Sequence, residues 1–272
     1  MNNFTKRTLS GIAFILIIVG ALTAGPLTFY ILFAFITGLC LFEFYTLASK
    51  NGAEVQKITG IIMGLAVFTL IFLVAGNYLE YQWLLAILPL ILLIIIRELY
   101  RKKENPFRNI SYTLAGLIYP VLFLALASPI AFASFPHPEY NHHMVLSLFI
   151  LIWSNDTFAY ITGKKFGKHK LAVSISPNKS WEGLAGGVIF SIVAAILIFL
   201  ITQHLNILSW ILLGIIVSLA GTFGDLLEST IKRSAGVKES GNLIPGHGGA
   251  LDRFDSAIFV FPLAYIFLKI II

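Results

Sequence analysis

Nine runs of apolar residues, most of them near the length that crosses a bilayer, govern what this chain can fold into. A hydrocarbon core takes about 20 apolar residues of helix. The runs fall at about 9–24, 27–48, 58–76, 79–96, 111–133, 144–162, 184–203, 206–227 and 256–272. Within lipid each backbone N–H and C=O needs a partner inside the structure, and segments of this length meet that need as helices. The pattern predicts an all-α, polytopic integral membrane protein with about nine transmembrane helices. The first and last runs are short enough to need tilt or flanking residues. Pro26 falls at a turn and Pro120 inside a helix, which membrane helices tolerate.

Composition points the same way. Of 272 residues, 58% are hydrophobic and 12% charged, against about 25% charged in soluble domains, and the mean hydropathy is +0.88. A formal charge of +6 could suit nucleic acid. Here, however, the cations lie in short patches between apolar runs, as membrane proteins place them, so no nucleic-acid partner is expected. Cys40 is the single cysteine and sits in an apolar run, which excludes a disulfide or zinc framework within one chain. Lys6 and Arg7 before an apolar run ending near Ala24 imitate a signal peptide. Since the rest of the chain is itself membrane-embedded, a retained helix is expected there.

With the N-terminus cytoplasmic, eighteen of the nineteen Lys and Arg residues lie on the inner side, and Lys269 lies near the end of the last helix. That bias sets the topology. It places the segments around 163–183 and 228–255 together on the cytoplasmic side of the inner (plasma) membrane, where nucleotides are. Residues 1–143 are then expected to form a lipid-embedded scaffold. Residues 144–272 would supply the remaining helices and the loops that carry the chemistry.

All four aspartates, Asp156, Asp225, Asp252 and Asp255, lie in or beside those two segments, whereas the glutamates are scattered. Carboxylates at membrane depth are costly unless they face a partner or a watery cavity. Clustered ones offer the oxygen ligands that a hard cation prefers. Asp225 and Glu228 are three apart, as are Asp252 and Asp255, so each pair shares a helical face. A plain helix cap accounts for one carboxylate of the second pair, near an N-terminus whose dipole favours negative charge. Gly236, Gly241, Gly246, Gly248 and Gly249, flanked by Lys232, Arg233 and Lys238, form a credible phosphate cradle. His247 could orient a phosphate, ligate a metal or cap a turn; with no second histidine near it, zinc is not expected. Glu43, in Phe-Glu-Phe, is expected to be buried and paired. The patch from Arg97 to Arg108 reads mainly as a topology signal.

The run Ser229 to Asp255, STIKRSAGVKESGNLIPGHGGALDRFD, resembles the signature of the CDP-diacylglycerol synthases, or phosphatidate cytidylyltransferases. Glu239 stands where that family usually has Asp, and Ala250 where it has a larger aliphatic residue. A second block is similar as well, through Asp156, Ala159, Tyr160, Gly163, Phe166, Gly167, Lys170, Ser176, Pro177, Lys179, Ser180, Glu182 and Gly183. The resemblance covers about 145–257. It implies transfer of CMP from CTP to phosphatidic acid, giving CDP-diacylglycerol and pyrophosphate, with Mg²⁺ and room for a second cation. Asp225, Asp252 and Asp255 are expected to hold the metal. Lys232, Arg233, His247 and Arg253 join them as catalytic candidates. Asp156, Lys170, Ser176, Lys179, Ser180, Glu182, Lys238, Gly248 and Gly249 are the expected substrate contacts. Partners are CTP, phosphatidic acid and the bilayer, with a homodimer left open.

Two other classes compete. A polyprenol or dolichol kinase would use similar charges, but needs a base for its alcohol, and no carboxylate is marked out for that. A transporter predicts charges spread through the bundle rather than gathered on one side.

Overall fold

The computed structural model describes residues 3–133, 139–241 and 248–271, with side chains from Leu9 onward. Nine helices run through these residues: α1 Asn3–Ala24, α2 Pro26–Lys50, α3 Lys57–Ala75, α4 Tyr81–Arg101, α5 Pro106–Ala131, α6 His142–Phe166, α7 Trp181–Thr202, α8 Ile207–Ser234 and α9 Leu251–Ile271. Eight are long and apolar enough to span a bilayer, and α1 contributes the shorter apolar stretch Leu9–Ala24. The many large apolar side chains that face outward, such as Leu16, Phe35, Leu88 and Leu200, suit lipid as solvent. The chain is a multi-pass, all-α membrane protein.

Hydropathy marks the bilayer rather than the helix, and the helices overrun it. α4 continues to Arg101, α8 to Ser234, and α9 begins at Leu251. The predicted runs stop at 96 and 227 and resume at 256. Backbone hydrogen bonding continues past the apolar runs, and the cations that end α2, α4, α6 and α8 complement the negative end of the helix dipole. Lys50, Arg101, Lys164, Lys165, Lys232 and Arg233 all occupy last turns. Residues 228–234 and 251–255, expected as loop or loop edge, are therefore helical. The basic segment after α6 also contains structure the sequence pattern does not announce. Strands β1 Lys170–Ala172 and β2 Ser176–Ser180 pair antiparallel, Lys170 opposite Ser180 and Ala172 opposite Ser176. Around Pro120, which brings no N–H, α5 widens into a π-helical turn over Leu117–Leu122.

The chain forms two compact units, Met1–His142 with Ser234–Phe254, and His143–Arg233 with Asp255–Ile272. In the first, Phe29, Phe33, Phe68 and Phe72 are buried, and Tyr45 donates to the Thr113 carbonyl at 2.8 Å. Buried Glu98 accepts from Gln56 at 2.8 Å, Asn109 at 2.9 Å and Arg101 at 2.6 Å, so its charge is paired and hydrogen-bonded. In the second, Leu148, Leu151, Trp210, Leu213, Val217, Ile258 and Phe261 are buried. The rings of Phe158 and Phe190 stack at 3.6 Å, joining α6 to α7. Small residues let these helices close up, as membrane helix pairs require; the Cβ that Gly183 lacks would stand 2.9 Å from the Ala159 carbonyl.

Candidate active site

Three carboxylates meet in the second unit. Asp225 and Glu228 lie one helical turn apart on α8, and Asp255 comes from the first turns of α9. Their oxygens lie within 4.8 Å of one another. The approach depends on Gly224, where a Cβ would stand 2.5 Å from the Asp255 carbonyl oxygen. Glu228 is buried and the two aspartates are half-buried. Three carboxylates this close repel unless cations answer them. Lys179, reaching from β2, pairs with Asp225 at 2.8 Å and donates to the Thr222 carbonyl at 3.3 Å. Lys232 pairs with Glu228 one turn along α8. Ser229 donates to Asp225 at 3.2 Å, and the Ser256 amide donates to Asp255 at 2.6 Å. The set offers oxygen alone, which suits a hard divalent cation of the Mg²⁺ or Ca²⁺ kind and not zinc.

Asp156 is exposed in the C-terminal half of α6 and accepts from Asn155 at 3.2 Å. Asn155 is buried and takes the Ser218 hydroxyl at 2.5 Å, which fixes its amide. The charges of Asp225 and then Asp156 both bear on Asp255.

The strand pair is held by residues expected to touch substrate. Ser180 is the N-cap of α7, accepting from the Gly183 amide at 3.1 Å. Glu182 accepts from the amides of Lys168 at 3.1 Å and His169 at 3.2 Å, and from the His169 ring at 2.6 Å. Both thus secure the basic turn that presents Lys179. Lys170, opposite Ser180, is exposed, and Ser176, at the other end of the pair, is half-buried.

Further along, Asp252 accepts from the Gly249 amide at 2.8 Å and from the Ser240 amide and hydroxyl, each at 2.9 Å. It therefore ties Ser240 and Gly249 to the first turn of α9. Gly248 turns through the left-handed region at φ 82°, where a side chain would be strained. Arg233, Lys238 and Arg253 are exposed. His247 lies outside the described residues. The structure thus gathers Asp225 and Asp255 with Glu228 and two lysines, and it gives Asp252 three donors of its own. Glu43 was expected only to be paired. It is a buried acceptor for the Ser240 hydroxyl and the Ala250 and Leu251 amides. The sole sequence signal for it was a carboxylate inside an apolar run.

A many-helix membrane protein with an oxygen-only carboxylate cluster, edged by lysines suited to phosphate, belongs among membrane-embedded proteins that handle anionic phosphate substrates. The chain is a member of the Cytidylyltransferase family, which it matches over residues 5–271. It is similar to the phosphatidate cytidylyltransferase of Staphylococcus haemolyticus (strain JCSC1435), 36% identical over 268 residues, 96% of this chain and 98% of that protein. Those of Staphylococcus epidermidis (strain ATCC 12228 / FDA PCI 1200) and Staphylococcus aureus (strain COL) are 35% and 33% identical, with the same coverage.

Proposed function

We infer that this chain is a phosphatidate cytidylyltransferase, transferring CMP from CTP to phosphatidic acid. The observation that carries this is a family match along nearly the whole chain, joined to a lysine-edged carboxylate cluster. A phosphatidate oxygen attacks the α-phosphorus of CTP, the bond to the β-phosphate oxygen breaks, and pyrophosphate leaves with the electron pair. The phosphatidate phosphate is already an anion near neutral pH, so no strong base is needed. The obstacle is bringing two anions together.

Asp225, Glu228 and Asp255 would hold Mg²⁺, which when bound supplies positive charge against the triphosphate. Lys179 and Lys232 flank these carboxylates and add fixed positive charge where the phosphates meet. Ser180 and Glu182 keep Lys179 in place by securing its strand pair, while Lys170, Arg233, Lys238 and Arg253 are exposed cations of the kind that attract phosphate oxygens. Asp252, with Gly248 and Gly249, shapes the turn before α9, and His247 serves in the same segment. Asp156 lies beside the cluster on α6. The distribution of Lys and Arg supports a site on the cytoplasmic face of the inner membrane, where CTP is dissolved and the lipid headgroup reaches it from the bilayer.

Purified protein in lipid nanodiscs, given CTP, Mg²⁺ and phosphatidic acid, should form CDP-diacylglycerol and pyrophosphate in equal amounts. A lipid alcohol in place of phosphatidic acid should yield neither. No pyrophosphate with phosphatidic acid, or CDP released with the alcohol, refutes the assignment.

A further inference from the structure

Glu43 belongs to α2 and to neither signature block, yet its carboxylate is committed to the second of them. Its Oε2 accepts from the Ser240 hydroxyl and the Leu251 amide, each at 2.8 Å, and its Oε1 from the Ala250 amide at 3.0 Å. These donors come from two stretches of the chain, Ser240 from one and Ala250 and Leu251 from the other. Two glycines fit around the carboxylate. A Cβ at Gly241 would stand 2.5 Å from Oε1, and one at Gly249 would collide with Oε2. The Ser240 hydroxyl also lies 2.9 Å from Asp252 Oδ2, so its one proton serves two carboxylates.

Serving as a cap does not account for this. Of its three donors only the Leu251 amide lies in α9, and such amides are ordinarily satisfied by a nearby Ser, Thr, Asp or Asn. A carboxylate in an apolar helix is costly to keep. What a remote carboxylate adds over a local cap is location: it ties Ser240 and the start of α9 to one scaffold helix.

We propose that Glu43 is a positioning residue for the reaction, tying Ser240 on one side and Ala250 and Leu251 on the other to α2 and, through Ser240, setting the Asp252 carboxylate. This rests on the cytidylyltransferase activity inferred above.

The test is Glu43→Gln, which keeps the shape but turns one acceptor oxygen into a donor facing donors. Glu98→Gln serves as the comparison, since Glu98 is equally buried in the same unit and bonds elsewhere. In Glu43→Gln, kcat should fall on the order of 10²-fold, the scale of a misplacement of about 1 Å. Amide hydrogen exchange should accelerate in the peptide covering 249–253 and stay unchanged in α6 and α7. Glu98→Gln should lower the melting temperature while leaving kcat and that peptide at wild-type values. Ser240→Ala should cost far less in the Glu43→Gln background than alone, because the two act through one contact. Wild-type kcat in Glu43→Gln overturns the proposal. So does an equal loss of kcat and protection in Glu98→Gln, which would make Glu43 merely structural. An inactive wild type would instead refute the assigned reaction, and the exchange data would still judge the tie.

Discussion

Replacing Gly224 by alanine tests whether the carboxylate cluster needs α8 and α9 as close as they are. A Cβ there would stand 2.5 Å from the Asp255 carbonyl oxygen and 3.1 Å from the Phe259 Cβ, where ordinary contact begins at 3.4 Å. The obstruction is backbone, so no side chain can swing aside, and the helices must part by about 1 Å. Overpacking of this kind costs about 1–3 kcal/mol, offset by about 1 kcal/mol because alanine suits a helix better than glycine. The protein should therefore survive with a modest loss of stability. Asp225 is the next residue and Asp255 is the group pushed, so turnover should fall on the order of 10²-fold. Gly221→Ala, three residues earlier on α8, is the matched control. Its Cβ would meet the Ser256 Cβ at 3.5 Å, an ordinary contact, so it should gain slightly in stability and keep its activity. Pyrophosphate release would be followed in nanodiscs across a Mg²⁺ titration, with melting recorded alongside. If Gly224→Ala turns over like wild type, or Gly221→Ala is equally damaged, the close approach does not set the site.

Asp225→Asn and Asp255→Asn should each abolish pyrophosphate release while leaving the protein extractable, and chelation of Mg²⁺ should do the same reversibly. Asp252→Asn should also lose turnover; near wild-type rates for both Asp225→Asn and Asp255→Asn would sink the metal assignment. Ser180→Ala removes the N-cap of α7 and should cost about 1 kcal/mol of stability, read as a lower melting temperature. If instead the KM for CTP rises with melting unchanged, the hydroxyl contacts the nucleotide. Cysteine labels at positions 168 and 238 should react only from the cytoplasmic side and one at Asn141 only from outside. Reaction at 238 from outside would reverse the orientation.

Much of the fold was legible because lipid is an undemanding solvent to read: an apolar run of bilayer length has little choice but to be a helix. The ends were less legible, since Arg101, Lys232 and Arg233 are charged yet helical, and hydropathy responds to the charge. Carboxylates at Asp225 and Asp255 stood out against an apolar background. Their proximity depends on how α8 meets α9 at Gly224, which spacing along the chain does not encode. The resemblance marks Ser180 and Glu182 as substrate contacts, and nothing in their spacing announces their backbone partners. The structure puts them to use on the Gly183, Lys168 and His169 amides. Glu43 was hardest to read, because its partners lie some two hundred positions away.

The ion pair between Lys179 and Asp225 makes the site a competition. One ammonium cannot stay 2.8 Å from the Asp225 carboxylate and also grip a phosphate at full strength. A cation settling on Asp225 would displace Lys179 and free it for the nucleotide. A nucleotide that draws Lys179 away leaves Asp225 more attractive to the cation. Thermodynamic reciprocity requires each ligand to tighten the other by the same factor. Affinity for CTP should therefore climb with Mg²⁺ concentration beyond what the Mg²⁺–CTP complex in solution explains, and Lys179→Met should flatten that excess.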